Sequence, residues 1–476
     1  MRPDPGAASA NASSHAQGGF AADAGRITRL AWPVFIGQIS VLAFSTVDTL
    51  LVARYSAQDL AALAVGAAAY VTVFIGFMGV VLAISPIVGQ LQGAGRLHDA
   101  GRQVHQAIWV ALALALLGAL LLAFPWPFLA LAKATPELEA KVRPYLLALA
   151  CALPASLLFT VYRGFNNAVS RPKAVMLLQV AGLGIKVPCS AALVWGVPAL
   201  GVPSLGVVGC GIATAIAMWA QVIAAIVVLR RDRFYERYAI WTHGLEPPRK
   251  EALRKQLSLG VPMGLSILVE VTSFSMMAIF IARLGTTAVA GHQIVANLVA
   301  LLFMMPLAVG NATSTLVAQR IGAQDMPDAR RLGWHGMQLG LVLACGMGLA
   351  MLVSRESVVR LYTQDAAVVA VALPLVAWLL VFHVGDAVQA IAAFILRAHH
   401  VARLPLVILA LSLWGVGLGG GYLLAFNVTG LSPASLQGPD GFWAAAAWSL
   451  VLAAIALTAC LAYYLRNQVP GSGGLR

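Results

Sequence analysis

Ser85-Pro86-Ile87-Val88-Gly89-Gln90-Leu91-Gln92-Gly93-Ala94 and Ser314-Thr315-Leu316-Val317-Ala318-Gln319-Arg320-Ile321-Gly322-Ala323 share Ser, Val, Gln, Gly and Ala at the same five places. Extended outward, the match keeps its register. Residues 30–94 align without a gap to residues 259–323 at a constant offset of 229, with 14 of 65 positions identical, among them Pro33 with Pro262, Ala53-Arg54 with Ala282-Arg283, and Phe74 with Phe303. Alanine-rich helices would share about half of that by composition, so the unbroken register carries more weight than the identities. Arg163 and Arg397 extend the echo beyond this stretch.

What is repeated is apolar. Hydrophobic residues make up 60% of the 476 and charged residues 10%, with a mean hydropathy of +0.84, against roughly half apolar and a quarter charged in soluble chains. A bilayer span needs about 20 mostly apolar residues. That ruler predicts twelve helices, near 27–51, 60–84, 106–131, 143–163, 174–196, 205–229, 257–283, 288–318, 334–353, 367–395, 404–426 and 442–465. The expected fold class is an all-α membrane protein of about twelve transmembrane helices in two parallel-repeat six-helix bundles around a central cavity. An even number of spans separates the copies, so both start on the same side. The expected division is a disordered tail over 1–26, lobes over 27–229 and 257–466, a linker over 230–256 and a tail over 467–476. No apolar core or cleavage pattern marks the first 25 residues as a signal peptide.

The net charge of +13 would suggest nucleic acid in a soluble chain, but the basic residues sit in short gaps between apolar runs, without interleaved stacking aromatics. About 23 lysines and arginines fall in the tails and even-numbered gaps and about 7 in the odd-numbered ones, which places both termini in the cytoplasm of a multi-pass inner-membrane protein. The gap from Arg230 to Lys255 alone carries eight. The five cysteines lie scattered in apolar stretches with no metal spacing and read as small hydrophobes. No GxxxxGK[ST] loop, HExxH or GxSxG element is present, so neither direct use of ATP nor an enzymatic activity is expected. No cofactor is expected either.

An ionisable group at bilayer depth costs on the order of 3 kcal/mol on insertion scales, and few occur here. Glu270 sits mid-helix in Leu268-Val269-Glu270-Val271-Thr272-Ser273, and Asp386 shares a helix face with His383 and Gln389. Asp48 lies in the outer half of the first helix, and Lys186 in the fifth, two residues before Pro188. A carboxylate in such a place can coordinate Na⁺ or take up a proton, which suits a coupling cation. The plain alternative is hydrogen-bonded helix glue. Lys186 either snorkels to an interface or pairs with Asp48. Prolines inside helices (33, 86, 154, 188, 262, 306 and 374) supply kinks or hinges. Met276, Met277, Met304 and Met305 either line an adaptable cavity or simply pack.

In order along the chain, Leu30-Ala31-Trp32-Pro33, Val47-Asp48-Thr49, Pro86-Ile87-Val88-Gly89-Gln90-Leu91, Arg163-Gly164, Ser170-Arg171-Pro172-Lys173, Val269-Glu270-Val271-Thr272 and His292-Gln293 resemble the multidrug and toxic compound extrusion (MATE) transporters of the NorM-like branch, from about Ile27 to Arg466. The resemblance implies Na⁺- or H⁺-driven efflux of cationic and amphiphilic drugs, with Glu270, Asp386 and Asp48 as the cation-site acids and a possible Na⁺ at Glu270 and Asp386. It also implies small-molecule organic cations as partners and a substrate contact at Asp365, for which a solvated loop charge is the alternative; Met276 and Met304 are further candidates. A monomer is the expected state. The chain departs from the Na⁺-coupled members at Lys186 and Ser190, where those carry asparagines, so these two are expected to modulate the first lobe and to exclude Na⁺ from it. It departs again at Arg397-Ala398-His399-His400, where Arg-Gly is usual. The remaining readings are a lipid or lipid-linked oligosaccharide flippase of the wider superfamily, which would want more basic residues at depth than Lys186 alone, and a non-transporting scaffold, which would leave the buried acids unexplained.

Overall fold

The computed structural model describes residues 19–131, 135–242 and 244–467. The disordered tail expected over residues 1–26 falls outside this range for residues 1–18, as do nine of the ten residues of the C-terminal tail. Among the described residues, twelve helices are long and apolar enough to cross a bilayer: α1 Phe20–Ala53, α2 Ala57–Gly93, α3 Leu97–Ala123, α4 Pro136–Ala168, α5 Pro172–Trp195, α6 Val207–Arg231, α7 Lys250–Ala282, α8 Thr286–Gly322, α9 Met326–Val353, α10 Ala366–Ala398, α11 Arg403–Ala425 and α12 Pro439–Arg466. The chain is a multi-pass membrane protein.

The helix ends repeat as the residues do. Ala53 and Ala282 close α1 and α7, α2 and α8 begin and end 229 positions apart, and so do the first residues of α3 and α9. The turn between the second and third helix of each copy has the same hydrogen bonds. The Arg96 amide donates to the Leu91 carbonyl and the Asp325 amide to that of Arg320, each at 2.9 Å. The residue that reverses the chain there is Gly95 at φ 71° in one copy and Gln324 at φ 62° in the other. Helices α4 and α10 match at an offset of 230.

Most helices run beyond the spans read in the sequence, α4, α7 and α9 among them, which begin at Pro136, Lys250 and Met326; three of the differences have a visible local cause. Helix α1 begins at Phe20 and takes in residues 20–26, because Asp23 of its first turn is fully buried against α9. Helix α3 runs 97–123 rather than 106–131; Pro125 stops it, and residues 126–131 form a separate short helix. Helix α2 is interrupted at Leu82-Ala83, ahead of Pro86, whose missing N–H cannot serve the Leu82 carbonyl; the Ser85 amide serves it at 3.0 Å.

Two compact units emerge from the packing. Of the described residues, one comprises those within 33–276 and 400–414, and the other those within 19–32, 277–399 and 415–467. In the first, α4 packs on α2, α3 and α6 around Tyr145, Leu149, Leu153 and Phe165. Helix α7 lies close on α2, where a Cβ on Gly79 would fall 2.5 Å from the Gly264 Cα. The linker after α6 is held to α3. His105 Nε2 meets the Ile240 carbonyl at 2.7 Å while its Nδ1 accepts from the Glu246 amide at 3.3 Å, and the Gln103 amide donates to Gln256 at 3.0 Å. In the second unit α10 is central, packing on α8, α9 and α12. Glycines open those contacts: a Cβ on Gly340 would meet Ile391 at 2.0 Å, and one on Gly336 would meet Thr313 at 2.3 Å.

Candidate functional site

In the unit of α1–α7, three helices converge on one ammonium. Lys186 of α5 is fully buried, and its Nζ donates to both carboxylate oxygens of Asp48 on α1 at 2.8 Å each. It also donates to Thr214 Oγ1 on α6 at 2.7 Å, with Ser190 Oγ and the Cys210 carbonyl each at 3.3 Å. Five oxygens therefore surround a group with three hydrogens. Every neighbour can present a lone pair, because the hydroxyl protons point elsewhere: Ser190 donates to Asp48 at 3.2 Å and Thr214 to the Cys210 carbonyl at 2.8 Å. Ser190 follows Lys186, and Thr214 follows Cys210, by four residues, which puts each pair on one helix face. Phe44, one turn before Asp48, places its ring 5.7 Å from Nζ.

The structure thus brings Asp48, Lys186 and Ser190 together, and Lys186 pairs rather than snorkels. Thr214, Cys210 and Phe44 escaped the sequence reading. Cys210 and Thr214 gave one weak signal, two polar-capable residues at helical spacing in the otherwise apolar stretch 207–220 of α6.

Glu270 belongs to the same unit and is half-buried. Its turn of α7 is fixed on both sides. On one side the Trp414 indole donates to the Val269 carbonyl at 3.2 Å and Ser273 Oγ to the Leu413 carbonyl at 3.1 Å; on the other, Leu268 crowds Gly76 of α2. The two α11 residues lie in a wide, π-helical stretch, Ala410–Gly420, rich in glycine; such stretches are rare and leave backbone carbonyls displaced from the regular ladder.

Asp386 belongs to the other unit. It is 4% exposed, and its Oδ1 accepts from the Gln389 amide at 3.0 Å. His383, Asp386 and Gln389 are all buried, so they share the inward face of α10. One turn away, the Phe382 ring meets Trp443 of α12 at 5.6 Å, and Trp443 meets His292 of α8 at 5.7 Å. Among the described residues no three His, Cys, Asp or Glu side chains converge as a metal cage.

Asp365 is exposed and caps α10. Its Oδ1 accepts from the Ala367 amide at 2.9 Å, and its own amide donates to Thr363 Oγ1 at 3.1 Å. Met276 and Met304 are half-buried, each beside a buried methionine, Met277 and Met305.

A profile of the MatE family matches residues 33–191 and 262–423, the two copies of the repeat with their apolar helices. The chain belongs to the MatE family. Relatives within it are similar along nearly their whole length. "Probable multidrug resistance protein NorM" of Aromatoleum aromaticum is 41% identical over 91% of this chain and 92% of its own. Multidrug resistance protein PmpM of Pseudomonas aeruginosa is 34% identical over 92% and 91%. Among solved structures, the Vibrio cholerae MATE transporter VcmN in its bent form shares the fold with a TM-score of 0.82 at 20% identity, covering 94% of this chain and 98% of that one. Prolines at 33, 154, 188, 262, 306 and 374 all lie inside helices.

Proposed function

We propose that this MatE-family protein is a secondary antiporter that exports cationic and amphiphilic organic compounds in exchange for Na⁺ or H⁺. The observation that carries the proposal is Asp386, a carboxyl 4% exposed midway along a spanning helix. Such a group is tolerated where a cation comes and goes. The names of the relatives, multidrug resistance proteins, support the substrate class.

Coupling rests on Glu270 and Asp386. Asp48 is served by Lys186, whose ammonium fills the charge role of a bound cation, so the first half excludes Na⁺ while Lys186 and Ser190 tune it. Substrate passes Met276, Met304 and Asp365. The working halves are residues 27–229 and 257–466, joined by 230–256; the helix ends repeated at 229 and 230 support this division. Both termini lie in the cytoplasm, as the distribution of basic residues supports; the protein works as an inner-membrane monomer, and neither ATP nor a cofactor takes part.

The test is substrate efflux from proteoliposomes under an imposed Na⁺ gradient and, separately, an imposed pH gradient. One gradient drives efflux in the parent, and Glu270→Gln and Asp386→Asn abolish it while reaching the membrane normally. Full efflux in both variants refutes the coupling role. Lys186→Asn alters the ion requirement; an unchanged requirement removes Lys186 from the scheme.

A further inference from the structure

Arg230, Arg231, Arg233 and Arg237 fall within eight residues at the end of α6, and what holds them is built rather than loose. Residues Arg233–Tyr238 form a short 3₁₀ turn with two tyrosines facing inward. Tyr235 is 2% exposed and donates to Asn166 Oδ1 at 2.6 Å; Tyr238 is fully buried and donates to Gln92 Oε1 at 2.7 Å. The Phe165 ring of α4 meets Tyr238 edge-on at 5.1 Å. The turn is therefore pinned to α2 and α4.

On the outer side, arginines stack on aromatic rings. The guanidiniums of Arg171 and Arg237 lie 4.3 and 4.0 Å from the Phe234 ring centre, and that of Arg230 lies 4.6 Å from Trp241, an indole 40% exposed. A stacked guanidinium keeps its N–H edge for an anion. Asp232 is taken by Arg171 at 2.5 Å, and the Phe234 amide and Arg171 hold its carboxyl below the usual carboxylate range. Arg231 and Arg233 remain exposed outside that pair, with Lys173 exposed at the start of α5 and Glu236 the one exposed acid of the turn.

We propose that this platform binds the headgroups of anionic phospholipids in the leaflet where α6 ends and α5 begins. The chemistry is charge-assisted, forked hydrogen bonding of guanidinium to phosphate. Trp241 supplies an amphipathic ring of the kind that sits at headgroup level, Phe234 the apolar face on which Arg171 and Arg237 stack, and basic residues beside a spanning helix feel the anionic surface within a Debye length. Charges that serve only to orient the chain need no fixed geometry. Ring-stacked arginines on a turn anchored by two buried tyrosines have one.

The test is thermal unfolding of the purified full-length protein in detergent, titrated with phosphatidylglycerol or phosphatidylcholine. Phosphatidylglycerol stabilises the parent and phosphatidylcholine does not. A basic residue near an anionic surface strengthens binding about fivefold, so Arg231→Gln/Arg233→Gln, which removes two, raises the half-stabilising phosphatidylglycerol concentration about 25-fold. Arg231→Lys/Arg233→Lys, which keeps the charge and loses the fork, recovers only part of the response. Arg355→Gln/Arg360→Gln, which removes two charges between α9 and α10, leaves the parent's midpoint unchanged, and glycerol phosphate without an acyl chain has no effect. An unresponsive parent, an unshifted Arg231→Gln/Arg233→Gln variant, an equal shift in Arg355→Gln/Arg360→Gln, or stabilisation by glycerol phosphate alone overturns the proposal.

Discussion

Replacing Lys186 by Met removes the ammonium while keeping a flexible chain of similar length. The side chain is fully buried and gives three hydrogen bonds of 2.7–2.8 Å, two of them to Asp48. In the variant the Asp48 carboxylate keeps the Ser190 hydroxyl at 3.2 Å and loses its counter-ion. Breaking a buried pair from one side costs about 3–5 kcal/mol, because a charge stays behind without compensation, whereas removing both charges together is close to neutral. Lys186→Met and Asp48→Asn are therefore each expected to lose about 3–5 kcal/mol, and Lys186→Met/Asp48→Asn no more than about 1 kcal/mol, so the two single losses together exceed the double by about 5 kcal/mol or more. Reversible unfolding of the purified protein in mixed detergent micelles, run as a double-mutant cycle, measures it. A Lys186→Met cost below about 1 kcal/mol, or single effects that simply add, refutes the argument that the two charges answer each other at depth.

The contact between α2 and α7 makes a second prediction: Gly79→Ala would place its Cβ 2.5 Å from Gly264 Cα, so the helices must part, at a cost of about 1–3 kcal/mol read by the same unfolding assay. Gln324, at φ 62° where the other copy has Gly95, is strained; Gln324→Gly is expected to stabilise by up to about 1 kcal/mol, the steric relief partly offset by added unfolded-state entropy. His400, in the turn after α10, has its imidazole pushed down to about 4 by burial first and then by Lys255. The folded state thus binds fewer protons than the unfolded one between about pH 4 and 6.5, and stability falls as pH drops through that window by at most about 1.4 kcal/mol per pH unit. His400→Asn, which tolerates the left-handed φ of 61°, is expected to flatten that slope in unfolding curves taken from pH 4 to 7.

Duplication and twelve spans were legible in the sequence because both rest on periods that survive without neighbours: an offset of 229 and runs of about 20 apolar residues. The acids at depth stood out for a similar reason, since a charge inside an apolar run is conspicuous wherever it points. Boundaries set by contact were not visible. Nothing local marks Phe20–Arg26 as helix, for what orders that turn is Asp23 meeting Arg331 at 3.0 Å and His335 at 2.8 Å, more than 300 residues away. The companions of the buried ion pair were hidden in the same way. Asp48 and Lys186 announce their charges, but Thr214, the Cys210 carbonyl and Phe44 became partners only when α1, α5 and α6 met. Hydropathy depends on which residues are adjacent in the chain, whereas solvation of a buried ammonium depends on which lone pairs are within about 3 Å, and only tertiary packing determines that.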